Sequence, residues 1–143
     1  MEYMEWNKGE YVISTDKSRL DLDVICGFLK ISYWAAERTR DEVMTTIDNS
    51  ICFGMYREGR QVGFCRLVTD GVVISWLGDV FVLSEYRGNG LGKWLMECVT
   101  SHPVAKRTKC VLGTNDAHGL YEQYGWVRKE LMSRQLDGER GEL

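Results

Sequence analysis

The stretch of sequence that decides the fold reads Ser84-Glu85-Tyr86-Arg87-Gly88-Asn89-Gly90-Leu91-Gly92-Lys93. It joins a β-type run, Val72–Leu83, to a segment of helical apolar spacing that begins at Leu91. Alternate glycines allow a tight turn with exposed amides, and a helix N-terminus adds unpaired N–H donors and partial positive charge. This combination is typical of a phosphate site. A tight strand-to-helix turn without a ligand is the alternative.

Two common phosphate-binding motifs do not fit this stretch. A Walker A loop needs a serine or threonine after its lysine, but Trp94 follows Lys93, and Arg87 stands where the first glycine belongs. The dinucleotide fingerprint G-x-G-x-x-G needs its third glycine one residue later than Gly92. The glycine pattern therefore belongs to neither motif.

Apolar spacing and turn signals predict the other elements. A short strand contains Val12 and Ile13, and two helices begin at the signals Ser18-x-x-Asp21 and Thr39-x-x-Glu42. The predicted elements that follow are strands at Ile51–Tyr56, Gln61–Val68 and Val72–Leu83, a helix from Leu91 that ends before Pro103, a strand at Lys109–Leu112, a helix at Ala117–Tyr124 capped by Asn115 or Asp116, and a last strand at Leu131–Leu136. This order predicts a mixed α/β fold with an antiparallel meander and a crossover helix.

Length, composition and charge bound the class of protein. The 143 residues predict one domain over 1–143, with a polar tail at 137–143. Hydrophobic residues make up 44% and charged residues 27%, which indicates a soluble globular chain. A net charge of −3 offers no basic face for nucleic acid, and no apolar run approaches the ~20 residues of a membrane helix. We therefore expect neither nucleic acid nor a membrane as partner, and either a monomer or a homodimer.

The cysteines indicate a reducing compartment. No two of them form a C-x-x-C pair, so no metal site is predicted, and their scatter through apolar segments fits buried free thiols in the cytoplasm. The N-terminal stretch Met1–Glu10 lacks the basic flank and apolar core of a secretory signal. We therefore expect a cytoplasmic protein.

Two segments carry a resemblance to a known family. Arg87-x-x-Gly90-x-Gly92 resembles the [RQ]-x-x-G-x-[GA] motif of the GNAT N-acetyltransferases, in the same strand-to-helix setting. Ala117-x-x-Leu120-Tyr121-x-x-x-Gly125-Trp126 resembles their A-x-x-L-Y-x-x-x-G-F segment. The two segments stand in the family's order and spacing, and the predicted elements fit from Asp21 onward. The resemblance thus covers nearly the whole chain.

The resemblance implies a fold and a co-substrate. The fold would be a central mixed, mostly antiparallel sheet of six to seven strands flanked by about four helices. Two parallel neighbours, Val72–Leu83 and Lys109–Leu112, would splay apart and hold acetyl-CoA. Its pantetheine arm would pair with the backbone near Phe81 and Val82, and the Val80 amide would face the thioester carbonyl.

The resemblance also implies the residues that bind the co-substrate's pyrophosphate. They would be Arg87, Gly88, Asn89, Gly90, Leu91, Gly92 and Lys93. Many family members carry an asparagine three residues before the alanine of the second motif. Here Thr114 stands at that position and Asn115 follows it, so we expect these two residues, together with Tyr121, near the pantetheine.

Amine acetylation requires a base, because an alkyl ammonium has a pKa of roughly 10. By its resemblance, the chain would transfer the acetyl group to a primary amine of a small molecule or peptide by direct attack. Asp79, just before Val80, is the first candidate for the base, while Asp116, His118 and a water chain stay open. A GNAT-like module that holds acyl-CoA without turnover is the alternative function.

Tyr121 matches the family's general acid. A tyrosine pKa near 10 is close enough to a thiol pKa near 8.5 for proton donation to the leaving sulfur. His118 lies three residues earlier, so both side chains are expected on one helix face. Tyr33, Trp34 and Trp76, with His118, are candidates for the acceptor pocket, and packing in the core is the alternative for the aromatic residues.

Overall fold

The computed structural model describes residues 2–114 and 116–134, and it contains one mixed sheet with helices on both faces. The strands are β1 (Glu5–Lys8), β2 (Tyr11–Ser14), β3 (Ile51–Arg57), β4 (Arg60–Thr69), β5 (Ile74–Val82) and β6 (Lys109–Val111). The helices are α1 (Leu22–Lys30), α2 (Arg40–Asp48), α3 (Leu91–Ser101), α4 (Pro103–Arg107) and α5 (His118–Glu122), with single 3₁₀ turns at Lys17–Arg19 and Ser84–Tyr86.

The sheet order is β1-β2-β3-β4-β5-β6. The first five strands pair antiparallel in sequence order, and β6 pairs parallel to β5. The predicted mixed, mostly antiparallel sheet is therefore confirmed. None of the helices within the described ranges combines the length and the apolarity that crossing a bilayer requires.

The two predicted helix starts differ in outcome. Thr39 and Glu42 form the reciprocal capping box that begins α2, as the spacing predicts. At α1, however, the cap is Asp21, whose carboxylate accepts hydrogen bonds from the Asp23 and Val24 amides. The start predicted at Ser18 was wrong, because Ser18 lies in the preceding 3₁₀ turn.

The strand β5 begins later than the predicted Val72–Leu83, because of the turn at Asp70-Gly71 that joins it to β4. The Asp70 Oδ1 atom accepts hydrogen bonds from the amides of residues 72, 73 and 74, at 2.9, 2.8 and 3.1 Å. The first two amides are thereby turned toward the carboxylate, which delays the strand until Ile74. Val72 and Val73 are consequently exposed.

Three further elements depart from the prediction. The strand β1 was missed, because Glu5–Lys8 shows no apolar alternation; it pairs with β2 across Gly9, whose φ is +57°. Pro103 ends α3 as predicted, yet it also starts α4. At the first position of a helix the backbone N–H has no intrahelical partner, so a proline there loses no hydrogen bond.

The last departure concerns the end of the chain. Residues 131–134 are not in a strand, so the strand predicted at Leu131–Leu136 is wrong for that part, while positions 135 and 136 lie outside the described residues. Leu131 and Met132 are adjacent and exposed, so they do not form the single apolar face that a strand in a sheet buries.

Apolar side chains fill a core on each face of the sheet. The core under α3 contains Leu95 and Val99 packed with Phe53 of β3. The core under α1 and α2 contains Ile25 and Val43 with Phe64, Phe81 and their neighbours. The two cores pack on opposite faces of β4 and β5, the strands that border the candidate site.

Candidate active site

The strands β5 and β6 separate partway along their length. They pair only at Ile74–Trp76 with Lys109–Val111. Beyond this point β5 continues as Leu77–Val82, and its edge away from β4 has no strand partner within the described part of the chain. The cavity between this edge, Leu112–Thr114 and α5 has a volume of about 560 Å³. We call it the cleft; an extended ligand could pair with β5 there as an added strand.

A β-bulge lies in β5 where it borders the cleft. The pairing Arg66↔Gly78 is followed by Phe64↔Phe81, so β5 carries one residue more than β4. Asp79 sits in the bulge with φ +53°, a conformation that aspartate tolerates better than most residues. Because of the bulge, Leu77 packs in the core under α3 while Phe81 packs in the opposite core.

Three donors surround the carboxylate of Asp79. Trp34 Nε1 donates to its Oδ1 at 2.9 Å, and Arg38 Nη1 and Arg66 Nε donate to its Oδ2 at 2.6 and 2.7 Å. The side chain is 2% exposed. Burial acts to raise the pKa of this carboxyl, but the two guanidinium groups outweigh burial and hold its pKa below the usual value.

This environment argues against Asp79 as the general base. A carboxylate with a lowered pKa and three donors has little tendency to take a proton from an ammonium group. The base role therefore stays a prediction that the geometry disfavours.

Sequence reasoning did not single out Arg38 or Arg66. Arg38 lies in the loop between α1 and α2, far from Asp79 in sequence, and no local pattern marks it. Arg66 did carry a signal, since it is a charged residue within the otherwise buried stretch Gln61–Leu67 of β4. Such a charge needs a partner, and Asp79 is the acidic residue within the predicted neighbouring strand Val72–Leu83.

The glycine-rich turn brings free amides to the other end of the cleft. Gly88 and Gly90 have φ of +85° and +75°, and Gly90 is the N-cap of α3 without a side-chain cap. The first helical bond runs from the Trp94 amide to the Gly90 carbonyl at 3.1 Å. The amides of residues 91–93 precede that bond, so helix geometry leaves them available to an anion.

Arg87 adds a cation beside these amides. Its Nε donates to the Val82 carbonyl at 3.0 Å, which holds the side chain at the end of β5. Arg87 and Gly92 both line the cleft, and Arg87, Asn89 and Lys93 are exposed. The Asn89 side chain is turned back to the Tyr86 carbonyl, so its amide group stabilises the turn. These residues could hold a pyrophosphate.

Tyr121 lines the cleft from α5 and is 8% exposed. Its ring lies edge-on to Trp126, with 6.0 Å between the ring centroids. Burial raises the pKa of Tyr121 to about 12. The phenol is therefore a weaker acid than its unperturbed pKa near 10 suggests. The difference between its pKa and that of a thiol is correspondingly larger.

The remaining candidates divide between two cavities. Tyr33, Trp34 and Trp76 line the cleft, as do Val80 and Thr114. Tyr121 also borders a second cavity, of about 860 Å³, and His118 lines that second cavity rather than the cleft. The structure therefore does not bring His118 to Asp79.

Two candidates near α5 have local roles. The Thr114 hydroxyl accepts hydrogen bonds from the Asp116 and Ala117 amides, at 3.4 and 3.0 Å, in the turn before α5. The N-cap of α5 is Ala117, which has no side-chain cap bond, so the cap predicted at Asp116 is wrong. Asp116 is exposed at the edge of the cleft. Asn115, the other predicted cap and pantetheine contact, lies outside the described residues.

Comparison with known proteins agrees with this arrangement. The family described as "Acetyltransferase (GNAT) domain" matches residues 48–128, which is more than half of the chain and includes both motifs. A candidate acetyltransferase of Gibberella zeae is 31% identical over 160 residues, covering 95% of this chain and 88% of that protein. The chain therefore belongs to the GNAT acetyltransferase family.

Solved structures support the same assignment. A crystal structure of a candidate GNAT-family acetyltransferase from Xanthomonas campestris pv. campestris matches with a TM-score of 0.85 and 41% identity, covering 90% of this chain and 94% of that one. A candidate acetyltransferase from Deinococcus radiodurans R1 matches with a TM-score of 0.74 and 20% identity, covering 92% and 93% of the two chains. At 20% identity the second match supports the fold alone.

Proposed function

We propose that this protein is a cytoplasmic N-acetyltransferase that moves the acetyl group of acetyl-CoA to a primary amine of a small molecule or peptide. The observation that carries the proposal is the edge of β5 at Leu77–Val82, which has no strand partner among the described residues and leads directly into the free amides at the start of α3. One cleft thus offers backbone pairing for an extended chain and, at its end, a site for a pyrophosphate. The five cysteines are free, which fits a reducing compartment.

The residues of the cleft fit acetyl-CoA, which supplies an activated acetyl thioester. The backbone near Phe81 and Val82 would bind the pantetheine arm, although the Val82 carbonyl already accepts the bond from Arg87. The amides of Gly88–Lys93, with the Arg87 and Lys93 side chains, would bind the pyrophosphate. Thr114 and Asn115 would lie beside the arm, and the Val80 amide would polarise the thioester carbonyl.

The proton of the attacking ammonium has two remaining routes. Asp79 is held by three donors, so we assign it the role of shaping the bulge that presents Val80. Asp116 is the other carboxylate among the described residues that line the cleft, and it is exposed. Asp116 or a chain of water molecules would therefore carry the proton to solvent.

Tyr121 would donate a hydrogen bond to the leaving sulfur. With a pKa of about 12, complete proton transfer to a thiolate of pKa near 8.5 is uphill by about 5 kcal/mol. Tyr121 would therefore stabilise the developing charge on sulfur through its hydrogen bond and keep its own proton, and the released thiolate would take a proton from water.

A binding module without turnover is the second candidate function. It is favoured by the same two observations, the ion-paired Asp79 and the raised pKa of Tyr121. The experiment that separates the two is CoA release from acetyl-CoA over a panel of primary amines, with mass spectrometry of the acceptor. Acceptor-dependent release with an acetylated product supports the transferase. Calorimetric binding of acetyl-CoA without release for any amine supports the binding module.

A further inference from the structure

We infer, on the basis of the proposed acetyl transfer, that the acceptor amine carries an anionic group, a carboxylate or a phosphate, which Arg38 binds at the Asp79 end of the cleft. The inference concerns the acceptor and not the acetyl donor, whose anionic part belongs to the Arg87 end. It rests on how charge and hydrogen-bond donors are distributed around Asp79.

The cluster around Asp79 has an excess of positive charge. Arg38 and Arg66 both donate to the same oxygen of one carboxylate, so one of the two cations is not neutralised within the cluster. Arg66 is the more occupied of the two, because its Nη1 also donates to Ser50 Oγ at 3.1 Å. Its side chain is 12% exposed, against 25% for Arg38. The positive charge that Asp79 does not neutralise is therefore more accessible on Arg38 than on Arg66.

Arg38 also has donors to spare. An arginine carries five N–H groups in a planar fork, and the Asp79 bond uses one nitrogen, Nη1. Its Nε and Nη2 donate to no other residue in the part of the chain that the structure describes. Arg38 lines the cleft, in which an acceptor would lie. A carboxylate or phosphate is the group that such a fork binds best.

The position of Arg38 separates this anion site from the pyrophosphate site. Asp79, which holds Arg38, and Val82, which holds Arg87, are three residues apart on β5. At about 3.3 Å per residue of extended strand, and less across the bulge, the two holding positions on β5 are at most roughly 10 Å apart along the strand. Trp34 is fixed beside Arg38 by its own bond to Asp79 and gives this end a rigid aromatic wall.

Calorimetry with the full chain saturated with CoA tests the inference without relying on turnover. The probes are amines in matched pairs: β-alanine and its amide, phenylalanine and phenylalaninamide, and phosphoethanolamine and ethanolamine. We expect the anionic member of at least one pair to bind roughly tenfold or more tightly than its neutral counterpart, as one charge-assisted contact provides. The first two pairs report a carboxylate site and the third a phosphate site. Equal affinity within every pair would overturn the inference.

Three variants then locate the effect. Arg38→Gln should abolish the preference, and Arg40→Gln, which removes an exposed arginine bonded to Asp23, should leave it intact. Asp79→Asn should preserve or increase the preference for the anionic probe, because without the negative charge of Asp79 the positive charge of Arg38 is less neutralised. If Asp79→Asn instead loses the preference as Arg38→Gln does, the ion pair between Arg38 and Asp79 only anchors the loop between α1 and α2. That result would overturn the inference. The inference also falls if Arg38→Gln keeps the preference.

Turnover of the same probes distinguishes this inference from the proposed function. An Arg38-dependent preference in binding, with no CoA release from acetyl-CoA for any probe, would support the anion site and count against acetyl transfer. CoA release that is fastest with neutral members, together with equal binding within each pair, would support acetyl transfer and overturn the anion site.

Discussion

Arg38 Nη1 lies 2.6 Å from Asp79 Oδ2, and this bond joins the loop between α1 and α2 to the bulge in β5. The loop also carries Trp34, which donates to the other oxygen of the same carboxylate. Asp79 thus connects a segment expected to contact the acceptor with the strand expected to contact the co-substrate.

Asp79→Asn should destabilise the protein at neutral pH by about 3 kcal/mol, since it removes one partner of a buried ion pair. Asparagine tolerates the positive φ, so the bulge itself should survive. The folded pKa of Asp79 is lowered, so its contribution is present above the unfolded value near 3.9 and is lost as pH falls through the folded pKa. Urea unfolding at pH 7 and pH 3 measures the difference, which should shrink in acid.

The control for this change is Asp23→Asn, which breaks an ion pair of exposed partners, Asp23 and Arg40. It should alter the free energy of unfolding by less than about 1 kcal/mol. A deficit for Asp79→Asn that is the same at both pH values would contradict the ion-pair account.

Gly90→Val should weaken CoA binding much more than Gly9→Val does. Both glycines have positive φ, +75° and +57°, and an added Cβ at either position meets nothing within 4 Å. Both variants should therefore lose about 1–3 kcal/mol of stability through backbone strain. Only Gly90 stands where phosphates would approach the backbone, so calorimetry should show normal CoA affinity for the folded Gly9 variant alone. Equal affinities would mean that the Gly88–Gly92 turn has no ligand.

Arg87→Gln should reduce CoA affinity by roughly 10- to 100-fold, the worth of one charge-assisted contact. The loss should diminish at high salt because exposed charges are screened. Arg57→Gln removes another partly exposed arginine, one that bonds Glu10 at the far side of the sheet, and should leave affinity unchanged. A parallel loss in both variants would indicate only a general effect of net charge.

Tyr121→Phe should lower kcat by about 10²–10⁴-fold, with the smaller value favoured by the raised pKa. Affinity for CoA and melting temperature should change little, because the ring and its contact with Trp126 remain. With a pKa of about 12, Tyr121 stays protonated, so the wild-type rate should show no alkaline decline from this group below about pH 10. Near-normal turnover in the variant would remove Tyr121 from the mechanism.

The sequence predicts the parts of the site that depend on local geometry. The Gly88–Gly92 turn needs positive φ and a following helix, and both requirements are visible in the residues themselves. The environment of Asp79 could not be predicted in this way, because Arg38 and Arg66 reach it from another loop and another strand. His118 shows the same limit. Its spacing from Tyr121 fits one helix face, yet Tyr121 lines both cavities whereas His118 lines only the second one.

Hydrogen exchange with and without saturating acetyl-CoA is the measurement that tests the central claim most directly. The account predicts slower exchange in two segments, Leu77–Val82 and Gly88–Lys93, because the first would gain a backbone partner and the second would bind the pyrophosphate. The hairpin of β1 and β2 lies at the opposite edge of the sheet and should exchange unchanged. ATP and NAD, which share phosphates but not the pantetheine arm, should leave Leu77–Val82 unprotected. Unaltered exchange in both segments with acetyl-CoA, or protection of Leu77–Val82 by ATP or NAD as strong as by acetyl-CoA, would contradict the assignment of the cleft.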